Sequence, residues 1–381
     1  MKKARIIFWV ILAVATTSCF SPKGTQKAVG GNEVLPVMQL ANKYFMEKWP
    51  DAGKAIVTNQ ERPSNIWTRS VYYEGLMALY SIDKKKEYYD YALQWGEKHN
   101  WGLRGGVNMR NADNQSCGQT YIDMYLVDNK RHPEWIKDIK ASIDLMMATS
   151  KVDDWNWVDA IQMAMPVFVK LGNLYNDTSY FRRMYEMYAF TKYKHGGNGL
   201  YNPVDKLWWR DKDFIPPYKE PNGKNCYWSR GNGWVVAALV RILKALPTSD
   251  IHYGEYLQDY KDMLSALLPL QREDGYWNVS LQDPDHFGGK ELSGTSLFVY
   301  GMSWGINNKV IDKTTYLPVV QKAWKALARE CVHADGSLGY VQGTGKEPKD
   351  GQPVSYDHIP DFEDYGLGCF LLAGSEVYKL Q

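Results

Sequence analysis

Two kinds of amphipathic segment alternate along the chain, one rich in lysine and the other rich in small residues. The lysine-rich kind occurs five times, each time as an aspartate-bearing turn followed by an aromatic residue and a charged segment with helical character. An aspartate just before a helix can accept hydrogen bonds from the free backbone amides of the first turn. The five turn aspartates that therefore predict helix starts are Asp83, Asp128, Asp177, Asp250 and Asp312.

The second kind of segment carries glycine and alanine where the first carries lysine. It predicts six helices, over 66–82, 114–128, 155–172, 230–246, 292–305 and 363–379. The apolar residues of 230–246 recur with the helical period, which makes this the clearest of the six. Together with the five lysine-rich helices and an opening helix over 35–49, the pattern predicts twelve helices.

This alternation predicts how the helices are arranged. Lysine-rich helices tolerate water on one face, whereas helices with small residues can approach one another closely. We therefore predict an all-α fold, an (α/α)6 barrel of six outer and six inner helices, as a single domain over 35–381. A superhelical solenoid would show the same alternation, and the closed ring is inferred from the count of six. Strands are expected only as short hairpins in loops such as 196–229 and 333–357.

The start of the chain is typical of an export signal. Lys2, Lys3 and Arg5 precede an apolar run over 6–15, and small residues lead to Cys19. The sequence predicts a signal peptide over 1–18 of the lipoprotein type, a lipidated Cys19 and a tether over 19–34; the alternative is a plain secretory signal. A periplasmic or outer-membrane-anchored lipoprotein of a Gram-negative bacterium is expected, in contact with the membrane only through its lipid.

Composition narrows the classes of partner. Lys and Arg number 45 against 43 Asp and Glu, so general binding to nucleic acid is not expected. The 15 Trp, 27 Tyr and 11 Phe could serve as platforms for sugar rings or fill a large helical core. The remaining cysteines match no zinc-binding spacing and are predicted to be buried thiols; they are Cys117, Cys226, Cys331 and Cys369.

Every unusual polar or aromatic cluster lies at or just before the start of a small-residue helix. The six clusters are 62–70, 111–120, 153–160, 227–234, 283–296 and 357–366. If the inner helices run parallel, all six meet at one end of the barrel. Helix N-termini carry partial positive charge and free amides, so this end suits an anionic group such as a uronate carboxylate.

Two carboxylates in these clusters are the predicted catalytic residues. Asp159 begins a strongly apolar helix, and apolar surroundings favour a neutral carboxyl that can act as a general acid. The alternative is a structural acid that complements the helix dipole. Asp113 could orient a hydroxyl or a water or tune Asp159, and its alternative is an N-cap. Asp153 and Asp154 are interpreted as turn and cap residues.

Arg230 is the predicted contact for an anionic group, because its planar guanidinium fits a carboxylate and it lies among aromatic residues at a helix start. The tryptophans predicted to contact the substrate are Trp67, Trp155, Trp157, Trp228 and Trp234. In the loop over 283–288, Asp283, Asp285 and His286 could ligate calcium or contact a leaving sugar. An ordinary capped loop is predicted there, with no metal and no cofactor.

The segments WNWVDAIQMAMP, YWSRGNGW, NADNQSCGQTY and WNVSLQDPDHF followed by SGTSLFVYGM resemble glycoside hydrolase family 105, the unsaturated rhamnogalacturonyl hydrolases. The resemblance covers roughly 35–380, and family 88, the unsaturated glucuronyl hydrolases, is the nearest relative. It implies hydrolysis of a terminal 4,5-unsaturated uronic acid left by a polysaccharide lyase. It also implies Asp159 as the general acid, Asp113 as the second acid, Trp157 as the ring-stacking residue, and Arg230 and Trp234 as substrate contacts.

One departure from the family concerns a histidine that members commonly carry after a Gly-Leu-Tyr-like motif. Here Asn202 and Pro203 stand in that place, so an unsaturated uronate on another glycan is the alternative to rhamnogalacturonan. Two other classes are weaker. A glycan-binding lipoprotein without turnover would not need both acids, and an epimerase on the same barrel would be expected to carry histidines in its site. The oligomeric state is not predicted.

Overall fold

The computed structural model describes residue 1, residues 31–360 and residues 362–380. The predicted signal peptide after residue 1, Cys19 and most of the tether lie outside these residues. In chain order the helices are α1 (Gly31–Lys48), α2 (Trp67–Ile82), α3 (Lys86–Lys98), α4 (Ala112–Gln115), α5 (Cys117–Val127), α6 (Lys137–Met147), α7 (Asp159–Tyr175), α8 (Ser179–Tyr193), α9 (Ser229–Ala245), α10 (Tyr253–Leu267), α11 (Leu292–Asn307), α12 (Lys313–Ala326) and α13 (Asp364–Val377). Because α4 is a single turn leading into α5, these form twelve helical units.

The small-residue segments form the inner ring. Helix α11 is buried at every residue from Leu292 to Ile306, whereas the lysine-rich α3 buries one face that includes Tyr88 and Trp95. Around the ring α2 contacts α5, α5 contacts α7, α7 contacts α9, α9 contacts α11, and α11 contacts α13. Helix α13 then packs against α2. This last contact closes the ring and confirms the (α/α)6 barrel rather than the solenoid.

The joint between α2 and α13 explains why small residues are needed in the inner ring. A Cβ atom on Gly75 would lie 2.6 Å from the carbonyl oxygen of Gly368, closer than such atoms can approach. Near the N-terminal ends of the two helices, Arg69 Nε donates to Asp364 Oδ2 at 2.9 Å, and both side chains are buried. The first and last inner helices are thus joined by close backbone packing and a buried ion pair.

Two of the five turn aspartates act as the sequence predicts. Asp312 Oδ2 accepts from Thr315 N at 2.7 Å as the N-cap of α12, and Asp177 accepts from the amide of Ser179, the first residue of α8. Asp128 and Asp250 each accept from the amide two residues on, but those residues precede α6 and α10. Asp83 differs, because its carboxylate accepts from the Gln39 side chain at 2.7 Å. The aspartate before α3 therefore ties two outer helices together instead of capping one.

Three helix starts differ from the prediction by more than one residue. The opening helix predicted over 35–49 begins at Gly31, so α1 includes the last four residues of the predicted tether. The helix predicted over 155–172 begins at Asp159, because Trp157 pairs with Asp211 in an isolated β-bridge and Val158 N donates to Arg210 O at 2.9 Å. The helix predicted over 114–128 is divided at Ser116 into α4 and α5.

The strands of the described residues form two short antiparallel hairpins. They are β1 (Ile56–Val57) with β2 (Glu61–Arg62), and β3 (Tyr201–Asn202) with β4 (Leu207–Trp208). The second hairpin lies in the predicted loop 196–229. The loop 333–357 contributes only an isolated β-bridge, between Val332 and Leu338, and the hairpin at 56–62 was not predicted.

Cys117, Cys226, Cys331 and Cys369 are buried free thiols, as predicted. Across the described ranges, every helix is too short or too polar to cross a bilayer.

Candidate active site

The N-terminal ends of the inner helices meet at one end of the barrel. The ring of Trp67, at the start of α2, lies 5.2 Å from that of Tyr365 in α13 and 6.4 Å from that of Trp234 in α9. Arg230 Nη1, also in α9, donates to Tyr365 Oη at 3.0 Å. The clusters that lie far apart in sequence are therefore close together in space, as predicted from a parallel inner ring.

Asp159, the first residue of α7, lies beside a guanidinium that the sequence analysis did not include. Arg210 Nε donates to Asp159 Oδ2 at 3.1 Å, and Arg210 Nη1 donates to Asp211 Oδ2 at 2.7 Å. The backbone pairing of 157–158 with 210–211 holds the two side chains together. Asp159 Oδ1 has no hydrogen-bond partner among the described residues, so one oxygen of this carboxylate is available to a substrate.

Asp113 is the second carboxyl of the site. Asn111 Oδ1 accepts from Asp113 N at 2.9 Å, so Asn111 and not Asp113 caps α4. The Asp113 carboxyl is thereby released from capping, and it makes no hydrogen bond within the part of the chain that the structure describes. Burial, and then the nearby charge of Asp159, raise the pKa of Asp113 to about 7, although Arg210 and Arg104 oppose the shift.

Two of the predicted tryptophans are half-buried at this end of the barrel. They are Trp157, immediately before α7, and Trp67, the first residue of α2. Trp155 is fully buried, with its ring 5.6 Å from that of Phe168, and its carbonyl accepts from Thr191 Oγ1 at 2.6 Å. Trp157 and Trp67 therefore retain surface for a sugar ring, whereas Trp155 packs in the core.

The Trp228–Trp234 segment holds two neighbouring loops in place. Arg230 is 1% exposed, and its Nη1 and Nη2 donate to the carbonyl oxygens of Gln342 and Gly343, both at 2.8 Å. Trp228 Nε1 donates to Gln342 Oε1 at 2.9 Å. Trp234 is also fully buried. Substrate contact by Arg230, Trp228 and Trp234 stays a prediction, and the interactions observed for these residues are structural.

Asn232 of the same segment fixes the strand that leads to Arg210. Its side-chain amide pairs with the backbone of Trp208 on both sides, with Trp208 N donating to Oδ1 at 2.8 Å and Nδ2 donating to Trp208 O at 3.0 Å. Trp208 closes β4, two residues before Arg210. The motif thus stabilises the loop that carries the arginine of the site.

One group of side chains among the described residues has the donor types and spacing of a metal site. The ligand atoms of Glu220, Asp283 and His286 lie within 4.8 Å of one another. Glu220 accepts from Ser280 Oγ at 2.7 Å and pairs with His286 Nδ1 at 2.5 Å, and Asp283 accepts from Asn222 N at 3.0 Å. These hydrogen bonds satisfy the buried carboxylates and join two loops, in keeping with the capped loop that the sequence predicts.

A concavity toward the other end of the barrel contains no predicted site residue. It has a volume of about 320 Å³, and its charged lining residues include Glu74, Asp123, Lys170 and Arg241. Lys170 Nζ pairs with Asp123 at 2.6 Å and Arg241 Nη2 with Glu74 at 3.2 Å. The charges there are largely paired with one another, unlike the free Asp113 carboxyl, so we place the active site at the N-terminal end.

Comparison with known proteins shows the family to which the chain belongs. The model of Glycosyl Hydrolase Family 88 matches residues 37–381. An unsaturated 3S-rhamnoglycuronyl hydrolase of Formosa agariphila is 33% identical over 336 residues, covering 83% of this chain and 85% of that protein. A protein of the same name from Alteromonas sp. is 29% identical over 380 residues, covering 94% of this chain and 86% of the relative.

A solved structure of a family 88 glycosyl hydrolase from Bacteroides vulgatus superposes with a TM-score of 0.82 at 32% identity, covering 92% of this chain and all of that one. The resemblance predicted from sequence is thus confirmed, with family 88 as the family whose model matches, and the barrel fold and the enzyme class are confirmed as well. The chain belongs to glycosyl hydrolase family 88 and is a glycoside hydrolase.

Proposed function

We propose that this enzyme removes a terminal 4,5-unsaturated uronic acid from oligosaccharides that polysaccharide lyases leave. The observation that carries the proposal is the pair of carboxyls at the N-terminal end of the barrel: one, Asp113, has a pKa near 7, and the other, Asp159, is paired with Arg210. Such a pair can hold one proton at neutral pH and deliver it to a double bond. The family membership supports the same chemistry.

The proposed reaction begins with proton transfer to C4 of the enol ether, which leaves positive charge shared between C5 and the ring oxygen. Water then adds at C5 and gives its proton to the Asp159 carboxylate, and transfer of that proton to Asp113 restores the starting protonation of the pair. The resulting hemiketal opens and releases the remaining oligosaccharide. We assign the contact with C4 to Asp159, whose Oδ1 is free, and the storage of the proton to Asp113. This differs from direct displacement at the anomeric carbon.

A uronate linked to rhamnose is the first candidate for the substrate. The relatives from Formosa agariphila and Alteromonas sp. are both named unsaturated 3S-rhamnoglycuronyl hydrolases, which supports a rhamnose leaving group. Asn202 stands where the family commonly carries a histidine; its Oδ1 accepts from Val204 N at 3.0 Å within the hairpin turn, and its Nδ2 donates to Tyr227 Oη at 2.7 Å. This position therefore shapes the hairpin loop, and the leaving sugar is to be settled by assay.

We expect the purified enzyme to bleach the ultraviolet absorbance of the C4=C5 double bond in at least one lyase digest. The digests to compare are those of pectin, an ulvan-type rhamnose-containing polysaccharide and a glycosaminoglycan, and the one that responds fastest narrows the leaving sugar. Heat-inactivated enzyme is the control. No decay on any digest, with sugar binding still detectable, would contradict the proposal and favour a glycan-binding protein.

We also propose that the enzyme works outside the cytoplasm, held to a membrane by a lipid on Cys19. The basic and apolar pattern before that cysteine supports it. We expect the wild-type protein to fractionate with membranes and to incorporate labelled fatty acid, and Cys19→Ser to lose both properties. Membrane fractionation of Cys19→Ser equal to that of the wild type would contradict the anchor.

A further inference from the structure

Arg104 is a cation of the active-site region with no partner within the described ranges. It is exposed in the loop between α3 and α4, and it makes no hydrogen bond or ion pair with any described residue. Its charge nevertheless acts on the catalytic carboxyl, because it is one of the two cations that lower the pKa of Asp113 against the effect of burial. An arginine that faces a site without an acidic partner can receive an anionic ligand.

The loop that carries Arg104 is tied firmly to the inner ring on both sides. Before it, Gly102 O accepts from Asn65 Nδ2 at 3.0 Å and from Tyr121 Oη at 3.2 Å. After it, Asn114 accepts from Gly105 N and donates from Nδ2 to Gly106 O at 3.1 Å. Asn114 is the residue next to Asp113. The backbone after Arg104 is therefore positioned by the same turn that carries Asp113, and the backbone before it is held by α5 and by the segment that precedes α2.

The other cations near the site already have partners. Arg210 donates to both Asp159 and Asp211, and Arg230 is buried with its terminal nitrogens on backbone carbonyls. Lys212 and Lys346 both pair with Asp213, at 2.8 and 3.7 Å. Of these cations, Arg104 alone has its whole charge available to a substrate.

We propose that Arg104 binds an oxyanion of the unsaturated oligosaccharide. The inference rests on the proposed function, since the unsaturated uronate carries a carboxylate on C5, next to the bond that is protonated. A sulfate ester on the adjoining sugar presents the same chemistry, and the experiment separates the two. In either case Arg104 fixes the substrate over the pair Asp113 and Asp159.

The test compares the wild type with Arg104→Gln and Arg104→Lys on two unsaturated uronyl-rhamnose disaccharides that differ only by a 3-sulfate on rhamnose. For Arg104→Gln we expect KM to rise about 10- to 100-fold, the range expected from losing one charge-assisted hydrogen bond. Arg104→Lys should recover part of the loss, because it restores the charge without the planar fork. If the KM of Arg104→Gln rises on both disaccharides, the group bound by Arg104 is the carboxylate. If KM rises only on the sulfated disaccharide, the group is the sulfate.

Arg182→Gln is the matched control, because Arg182 is an exposed arginine on the outer helix α8, and its KM should equal that of the wild type. A second readout is the pH dependence of kcat/KM: without the charge of Arg104, the limb that belongs to Asp113 should move to higher pH. KM values within about twofold of the wild type on both disaccharides would overturn the proposal. If the wild type hydrolyses neither disaccharide, binding of the same disaccharides to the wild type and to Arg104→Gln is measured by calorimetry. Weaker binding to the variant supports the proposal for Arg104. Equal binding to both proteins, or no binding to either, overturns it.

Discussion

Asp159→Asn is expected to lower kcat/KM by about 10³-fold, within the range that general acid–base catalysis contributes. The amide keeps the shape of the side chain and its Oδ1 can still accept from Arg210 Nε, which donates to Asp159 Oδ2 at 3.1 Å in the wild type. It cannot pass a proton to C4 or take one from water. The rate of bleaching of the unsaturated disaccharide measures the loss, and circular dichroism with a thermal melt verifies that the fold is unchanged.

Asp153→Asn is the matched control for this substitution. Asp153 is an exposed carboxylate in the segment that leads to α7, within 4.0 Å of only Lys151 among the described cations, at 3.5 Å. Its loss should leave kcat/KM near that of the wild type. Near-normal activity of Asp159→Asn would mean that Asp159 is a structural acid at the start of its helix, and the proposed mechanism would be wrong.

The barrel could be predicted from the sequence because its cause repeats along the chain. Each inner helix needs small residues to approach its neighbours, as Gly75 and Gly368 show, and each outer helix needs a polar face. Closure of the ring depends on the contact of α2 with α13, between residues almost 300 positions apart, and only the count of six pointed to it. Local periodicity therefore predicts the elements better than it predicts how they close.

The two carboxyls of the candidate site could be proposed from the sequence because each lies in a conspicuous cluster at a helix start. Arg210 was missed, since its place beside Asp159 comes from the backbone pairing of 157–158 with 210–211, which no local pattern indicates. The run Trp208-Trp209-Arg210-Asp211, an arginine between aromatic residues and an acid, was the available signal. Arg104 was missed for a similar reason, because its place near Asp113 depends on hydrogen bonds that anchor its loop and that no local pattern indicates.

The conspicuous segment 227–234 fits two interpretations from sequence. An arginine among tryptophans resembles a binding site, yet Arg230 and Trp228 donate hydrogen bonds within the protein interior. Buried polar groups need partners, and a motif that supplies them can be as distinctive as one that binds a ligand. Sequence pattern alone does not separate these two demands, because both favour the same residue types.

The value of kcat/KM is expected to fall as the pH rises through about 7. Burial and the charge of Asp159 raise the pKa of Asp113 to about 7, well above its ordinary value of 3.8. The proton that the pair delivers is therefore present below about pH 7 and lost as the pH rises through it. A profile of kcat/KM for the wild type that instead rises through pH 7 would show that Asp113 acts as a carboxylate.

Asp113→Asn tests the same assignment by removing the group that titrates. We expect kcat/KM to fall about 10²-fold or more, because the amide cannot store the proton, and the limb near pH 7 to disappear from the residual activity. In Asp159→Asn the limb should persist at lower pH, since the charge that helps to raise the pKa of Asp113 is gone. Asn111→Asp is a useful companion, because it keeps a cap on α4 and leaves both carboxyls in place. A limb near pH 7 that survives in Asp113→Asn would assign the titration to another group and would leave Asp113 a positioning role only.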